Sequence, residues 1–240
     1  MIPRSVLASS RILSVAAFVG LAAQAFAADL LPTTKGPPLA PVSAFSWTGF
    51  YIGGFVGAAA GTDEFRFVPA GTTTSNSADS LLGGVRAGYN YQTSWVVFGV
   101  EGDFSGMNLK SSNPCPNPFF TCGRDSDWVG TLLGRVGISP IDRTLLYAAV
   151  GGGFSDFRYS ALPPGVAPFI FSGNFSRTET ALAFGGGFEY AFTNNWSFDI
   201  EYLHYGFGDA TAPPGTLSAA NSTKLTNGLD SFDLGINYHF

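Results

Sequence analysis

This sequence predicts an all-β protein, specifically an eight-stranded antiparallel up-and-down transmembrane β-barrel, and three observations carry that prediction. Only 12% of the 240 residues are charged, while 31 are glycine and 23 phenylalanine. That mix suits glycine-punctuated, aromatic-bearing strands better than helices. The terminal stretch LDSFDLGINYHF alternates strictly: Phe232, Leu234, Ile236, Tyr238 and Phe240 fall on one side, Ser231, Asp233, Gly235, Asn237 and His239 on the other. A period of two is that of a strand with one apolar and one polar face. Finally, the connections between patterned segments alternate between short and long along the whole chain, as expected of a barrel with short periplasmic turns and four long extracellular loops.

The first element is not part of the fold. Arg4 and Arg11 precede an apolar run from Ile12 to Leu21, and Ala25-Phe26-Ala27 supplies the small residues of a cleavage site, so residues 1–27 read as a removed secretory signal. A membrane-spanning anchor is the alternative, but the apolar run is shorter than the roughly 20 residues such a helix needs. Removing two of the 12 basic residues leaves 10 against 17 acidic ones, a net charge near −7. No basic surface remains to grip nucleic acid. Residues 28–45, with Pro32, Pro37, Pro38 and Pro41, read as an extended periplasmic linker, and 46–240 as the barrel.

Strands are expected at Trp47–Gly61, Ser80–Gln92, Trp95–Met107, Ser126–Ser139, Thr144–Phe157, Arg177–Phe192, Trp196–Phe207 and Leu229–Phe240. Short turns follow the second, fourth and sixth. The other connections, 62–79, 108–125, 158–176 and 208–228, are long, polar and rich in turn-forming residues. An even strand count places both termini in the periplasm.

Within the strands, Val96, Phe98, Val100 and Phe104 alternate with Val97, Gly99, Glu101 and Asp103, and Trp196, Phe198, Ile200 and Tyr202 with Ser197, Asp199, Glu201 and Leu203. One face suits lipid and the other carries charge. Arg86, Arg135 and Glu189 share the inner parity. A barrel of about eight strands has room inside only for side chains, so Arg86 and Arg135 are expected to pair with some of Glu101, Asp103, Glu189, Asp199 and Glu201 as a polar plug. Trp47 and Trp95 also take the inner parity, against what an aromatic girdle wants, which suggests a bulge or a shifted strand start. Gly49, Gly53, Gly57 and Gly61, spaced by four, would form a lumen-facing column that makes room for the charged side chains; the helical GxxxG reading needs a longer apolar stretch.

Cys115 and Cys122 lie among Asn113, Pro114, Pro116, Asn117 and Pro118, a composition that excludes strand interior and helix, and they read as a loop disulfide. Zinc is the alternative, yet two cysteines without a neighbouring histidine fall short of its ligand set. Gly151-Gly152-Gly153 and Gly185-Gly186-Gly187 lack the GK[ST] ending of a phosphate loop and read as barrel curvature. His204 takes the outward parity near the outer end of its strand and His239 lies at the periplasmic edge, so the two do not share a catalytic site. No catalytic, cofactor or metal residues are assigned: His204 with its neighbouring tyrosines is not a haem motif, and Asp199 with Glu201 or Glu101 with Asp103 reads as structural ion pairing.

A secretory signal and Pro-rich linker, then SWTGFYIGG, WVVFGVEGDFSG and a final GINYHF, resemble the small outer-membrane barrels of alphaproteobacteria known as surface immunogenic or porin-family proteins. The resemblance spans nearly all of the mature chain. It implies an eight-stranded barrel in the Gram-negative outer membrane, in contact with lipid and lipopolysaccharide. It also implies that the alternation ending in Ile236, Tyr238 and Phe240 is the signal read by the barrel-assembly machinery. Family members are variously envelope-stabilising, porin-like or haemin-binding. The expectation taken forward is a non-enzymatic barrel serving envelope integrity and surface interactions, with a small diffusion channel, a haemin-type receptor and a homo-oligomer as alternatives.

Overall fold

The computed structural model describes residues 45–68, 70–115, 120–162 and 173–240. The expected signal and all but the last residue of the linker lie outside the described residues. Among the described residues there are nine strands and no helix: β1 Gly49–Val68, β2 Thr73–Thr93, β3 Val96–Pro114, β4 Thr121–Ile138, β5 Thr144–Leu162, β6 Gly173–Ala191, β7 Trp196–Phe207, β8 Ala210–Ala212 and β9 Ser222–His239. Each strand from β1 to β7 pairs antiparallel with the next, β7 pairs with β9, and β9 closes on β1 from Tyr51↔His239 to Val68↔Ser222. β8 adds to the same edge of β9 beyond the end of β7, at Ala210↔Leu225, so β7 and β8 are one wall strand interrupted at Gly208-Asp209. The sheet closes as a barrel of eight staves over the belt; beyond it, residues 73–81 of β2 pair only with β1, residues 173–180 of β6 only with β5, and β8 only with β9.

The wall has two levels. Nearest the chain termini, outward positions are large and apolar and stand exposed: Phe50, Ile52 and Val56 on β1, Phe98, Val100 and Phe104 on β3, Phe232, Leu234 and Ile236 on β9. Moving away from the termini, the outward face of each stave turns polar, at Thr62, Asp79, Asn108, Asp127, Asp156, Thr180, His204 and Asp230. The apolar belt is therefore about the 9–11 residues per strand that a bilayer requires. Beyond that ring the parity inverts. Glu64 and Arg66 face out while Phe65 and Phe67 are buried, Arg158 faces out while Phe157 and Tyr159 are buried, and Leu109 and Leu225 join them inside.

The inversion corrects the expected loop lengths. Apart from β7, the long strands run 18 to 21 residues, and the far-end connections shrink to 69–72, 115–120, 163–172 and 213–221. Polar composition in 62–79 and 108–125 marks strand that has left the lipid, not irregular chain: extended backbone satisfies its hydrogen bonds from the neighbouring stave whatever its side chains. Pro114 and Cys122 are accordingly strand residues, paired Pro114↔Thr121 and Asn113↔Cys122, contrary to the reading of that segment as loop. The disulfide Cys115–Cys122 joins β4 to the residue after β3.

The tryptophan parities resolve differently. Trp47 is inside, 1% exposed, before β1 begins. Trp95 is outside, 59% exposed, because it belongs to the two-residue turn with Ser94 (φ 58°) and β3 starts only at Val96. Register irregularities do occur, but at Gly106/Leu109 and Asp125/Val129.

Candidate functional site

The inner face of the apolar belt gathers buried charge from several strands. β2, β3, β4, β6 and β7 bring Arg86, Glu101, Asp103, Arg135, Glu189, Asp199 and Glu201 into one lumen. Arg135 Nη1 donates to Glu101 Oε2 at 2.7 Å and Nη2 to Glu189 Oε2 at 3.4 Å. Arg86 Nη1 donates to Asp199 Oδ2 at 2.6 Å, with Asp103 at 3.7 Å and Glu201 at 3.9 Å from its other nitrogens. Both guanidinium groups also lie over rings, Arg135 3.7 Å from the Tyr147 centroid and Arg86 4.5 Å from that of Phe55. These contacts desolvate and orient the arginines, which strengthens each ion pair relative to a surface pair.

Several members of this network lie outside the set assigned from sequence. Tyr51 donates to Glu101 at 2.7 Å and Tyr147 to Glu201 at 2.7 Å. Asn237 donates to Glu189 and Asp199, both at 3.0 Å, and Ser197 to Glu189 at 2.5 Å. His239 Nε2 sits 3.1 Å from Glu189, while its ring lies 5.5 Å from both Trp47 and Tyr51. Those rings close the terminus end of the lumen. The signal was available for Ser197, which shares the parity of Asp199 and Glu201, and for Asn237 and His239, which share that of Asp233; Tyr51 shares the parity of the β1 glycines, and β5 carries no inward charge to mark Tyr147.

Glycines make this packing possible. A Cβ on Gly53 would collide with Asn237, on Gly57 with Asp233, on Gly88 with the Tyr51 hydroxyl, and on Gly235 with Asp199. Gly49, Gly53, Gly57 and Gly61 all take the inner parity of β1. Their small size is a requirement of the lumen and not of helix pairing.

A second network sits above the belt. Arg124 Nε lies 3.4 Å from Asp63 Oδ1, and Asp63 accepts from Asn76 at 2.8 Å and Ser111 at 3.1 Å. Tyr159 and Asn227 donate to Glu179, each at 2.9 Å. Phe65, Leu109, Phe157, Phe207 and Leu225 fill the surrounding space. On the exterior at this boundary, Tyr202 and His204 both contact Asp230, at 2.6 and 2.8 Å. His204 and His239 thus lie on different sides of the wall. Between the two networks, a void of about 10 Å³ lined by Arg86, Asp103, Glu201 and Tyr205 remains. That is close to the minimum for a single water.

Ile236, Tyr238 and Phe240 point outward along the belt edge, where Tyr238 meets Trp196 at 5.1 Å and Phe240 at 5.1 Å between ring centroids. At the far end, Asp209 accepts from Lys224 and Thr226, which hold its carboxyl below the usual range.

A closed barrel, apolar outside over one bilayer thickness and charged inside, defines the class: a transmembrane β-barrel protein. Residues 13–240 match the outer membrane protein beta-barrel domain, and the chain belongs to that family. It is 31% identical to the 31 kDa outer-membrane immunogenic protein of Brucella melitensis over 78% of this chain and 82% of that one. It is 32% identical to the 22 kDa outer membrane protein of Rhizobium leguminosarum over 79% and 81%, and 28% identical to the 25 kDa outer-membrane immunogenic protein of Brucella abortus over 96% and 98%. Among solved structures, OprG from Pseudomonas aeruginosa matches at 14% identity and TM-score 0.47, covering 80% of this chain and 97% of that one. Ail of Yersinia pestis matches at 16% and 0.41, covering 80% and 99%.

Proposed function

We propose that this protein is a non-enzymatic outer-membrane barrel that serves envelope integrity and displays its four far-end connections at the cell surface, with both termini periplasmic and its lumen closed to diffusion. The observation that carries the reading is the lumen itself: two arginines, bridged to carboxylates from three staves, leave a void of about 10 Å³ at belt level. Hydrated solutes need a continuous path, and the ion pairs stand across it. Display at the surface is supported by the polar outer faces of the strand extensions and by the Brucella relatives, which are described as immunogenic. The outward Ile236, Tyr238 and Phe240 offer the alternating apolar strand end that an assembly machinery in the membrane would bind.

Planar-bilayer conductance of the refolded protein tests this. Silence from the unmodified chain is expected, with discrete openings in an Arg86→Ala/Arg135→Ala variant that removes both bridges. A steady conductance from the unmodified chain would instead establish a diffusion channel.

A further inference from the structure

At belt level the described lumen carries more negative charge than its arginines offset. Glu101, Asp103, Glu189, Asp199, Glu201 and Asp233 face Arg86 and Arg135, and His239 stands beside Glu189 alone. Arg86 makes its one short contact with Asp199, and Arg135 serves Glu101 and Glu189. The remainder gathers at one place, where Arg86 reaches Asp103 and Glu201 only at 3.7 and 3.9 Å. Glu101 Oε1, both oxygens of Asp103 and Glu201 Oε1 are buried without a hydrogen-bond partner, and one oxygen from each of these three residues lies within 4.8 Å of the others.

A fourth residue points to the same space from another stave. Asp233 of β9 is 3% exposed, its Oδ1 has no partner, and it lines the same small void as Asp103 and Glu201. Ser105, Thr131 and Tyr205 add hydroxyl oxygens to that lining. Carboxylates this close and this dry repel each other strongly, because low-dielectric surroundings screen them poorly. A cation placed among them reverses the sign of every one of those interactions.

The donor set is all oxygen, which selects a hard cation over zinc or copper. The three oxygens lie within 4.8 Å of one another, close enough to share one ion at calcium–oxygen distances of ~2.3–2.6 Å, and an all-protein carboxylate cage suits calcium's flexible coordination rather than magnesium, which keeps several of its waters. We propose that Glu101, Asp103 and Glu201, with Asp233 behind them, form a calcium site inside the barrel that ties β3 to β7 and β9 across the lumen. The site stands on the carboxylate geometry and does not depend on whether the lumen conducts, so calcium content and conductance are separate measurements.

The test is to refold the full chain into detergent micelles in CaCl2 or in chelator, desalt both samples, and measure calcium by plasma mass spectrometry. The expected result is about one calcium retained per chain, lost in Asp103→Asn/Glu201→Gln and kept in Asp230→Asn, whose carboxylate is on the outer face. Retention equal in the lumen variant and the unmodified chain, or no retention in either, overturns the proposal. Should the lumen variant fail to fold, terbium luminescence of the unmodified protein decides. Emission excited through tyrosine and quenched by CaCl2 but not by MgCl2 supports the site, and its absence overturns it. Stability that rises on acidification and is indifferent to calcium would show that protons neutralise these carboxylates instead, and would also overturn it.

Discussion

Replacing Arg135 with methionine is the sharpest probe of what holds the lumen together. Arg135 is 3% exposed at its side chain and Glu101 and Glu189 are 0% exposed at theirs. Methionine keeps the stem and much of the packing over Tyr147 while removing the cation between two buried carboxylates. Breaking a buried pair from one side costs about 3–5 kcal/mol, because the surviving charge stays desolvated. The upper half of that range is expected, since Glu101 would keep the Tyr51 hydroxyl as a partner but would still face Asp103 and Glu201. Adding Glu101→Gln to Arg135→Met removes the stranded charge and should recover about 2 kcal/mol or more. Equilibrium unfolding in guanidinium, with the protein in micelles and the buried Trp47 contributing to the emission, measures both. An Arg135→Met loss below about 1 kcal/mol, the worth of an exposed pair, would refute the desolvated-network account, as would a double variant no more stable than the single one.

Three further outcomes follow from the packing. Gly57→Val drives a side chain into Asp233 and the Phe232 carbonyl and should cost about 1–3 kcal/mol or block folding, whereas Gly106→Ala, with nothing within 4 Å, should be neutral; the shift between folded and unfolded mobility on a gel separates the two. Cys115→Ser/Cys122→Ser should lower stability by about 2–3 kcal/mol on the chain-entropy model, and limited proteolysis should then cut first between β3 and β4. Asp209 titrates below the ordinary carboxylate range, so the stabilisation it gives is complete above the unfolded value near ~3.9 and lost as pH falls through the folded one. NMR of its carboxyl should place the midpoint below that value, and Lys224→Met should return it upward.

What was legible in the sequence was whatever a period of two could express. The eight staves, the short turns and the inner parity of Arg86, Glu101, Asp103, Arg135, Glu189, Asp199 and Glu201 are all read from alternation, because a barrel wall has only two faces. What was not legible was which arginine meets which acid. Arg86 and Asp199 are far apart in sequence and meet across the lumen, which no single strand records. The extensions beyond the belt were missed for a different reason. Phe65 and Phe67 alternate as cleanly as Phe50 and Ile52, but on the opposite parity, so a search for apolar residues facing outward ended where the surroundings changed. Trp95 misled because parity has meaning only inside a strand, and it stands in the turn.

The inversion of parity along each stave accounts for both networks. At every level one face of a strand is apolar, and the medium outside decides which one. Facing lipid, the apolar side must point out, and the polar side is left to fill a lumen too narrow for bulk water; its charges then have to satisfy one another, as Arg86 with Asp199 and Arg135 with Glu101 and Glu189 do. Above the ring of Thr62, Asp79, His204 and Asp230 the surroundings are water, the polar side turns out, and the interior takes Phe65, Leu109, Phe157 and Leu225 like the core of a soluble barrel. Arg124 and Asp63 sit at that junction, where the filling changes from ionic to apolar. The side-chain filling at both levels is therefore a consequence of stave number and medium together.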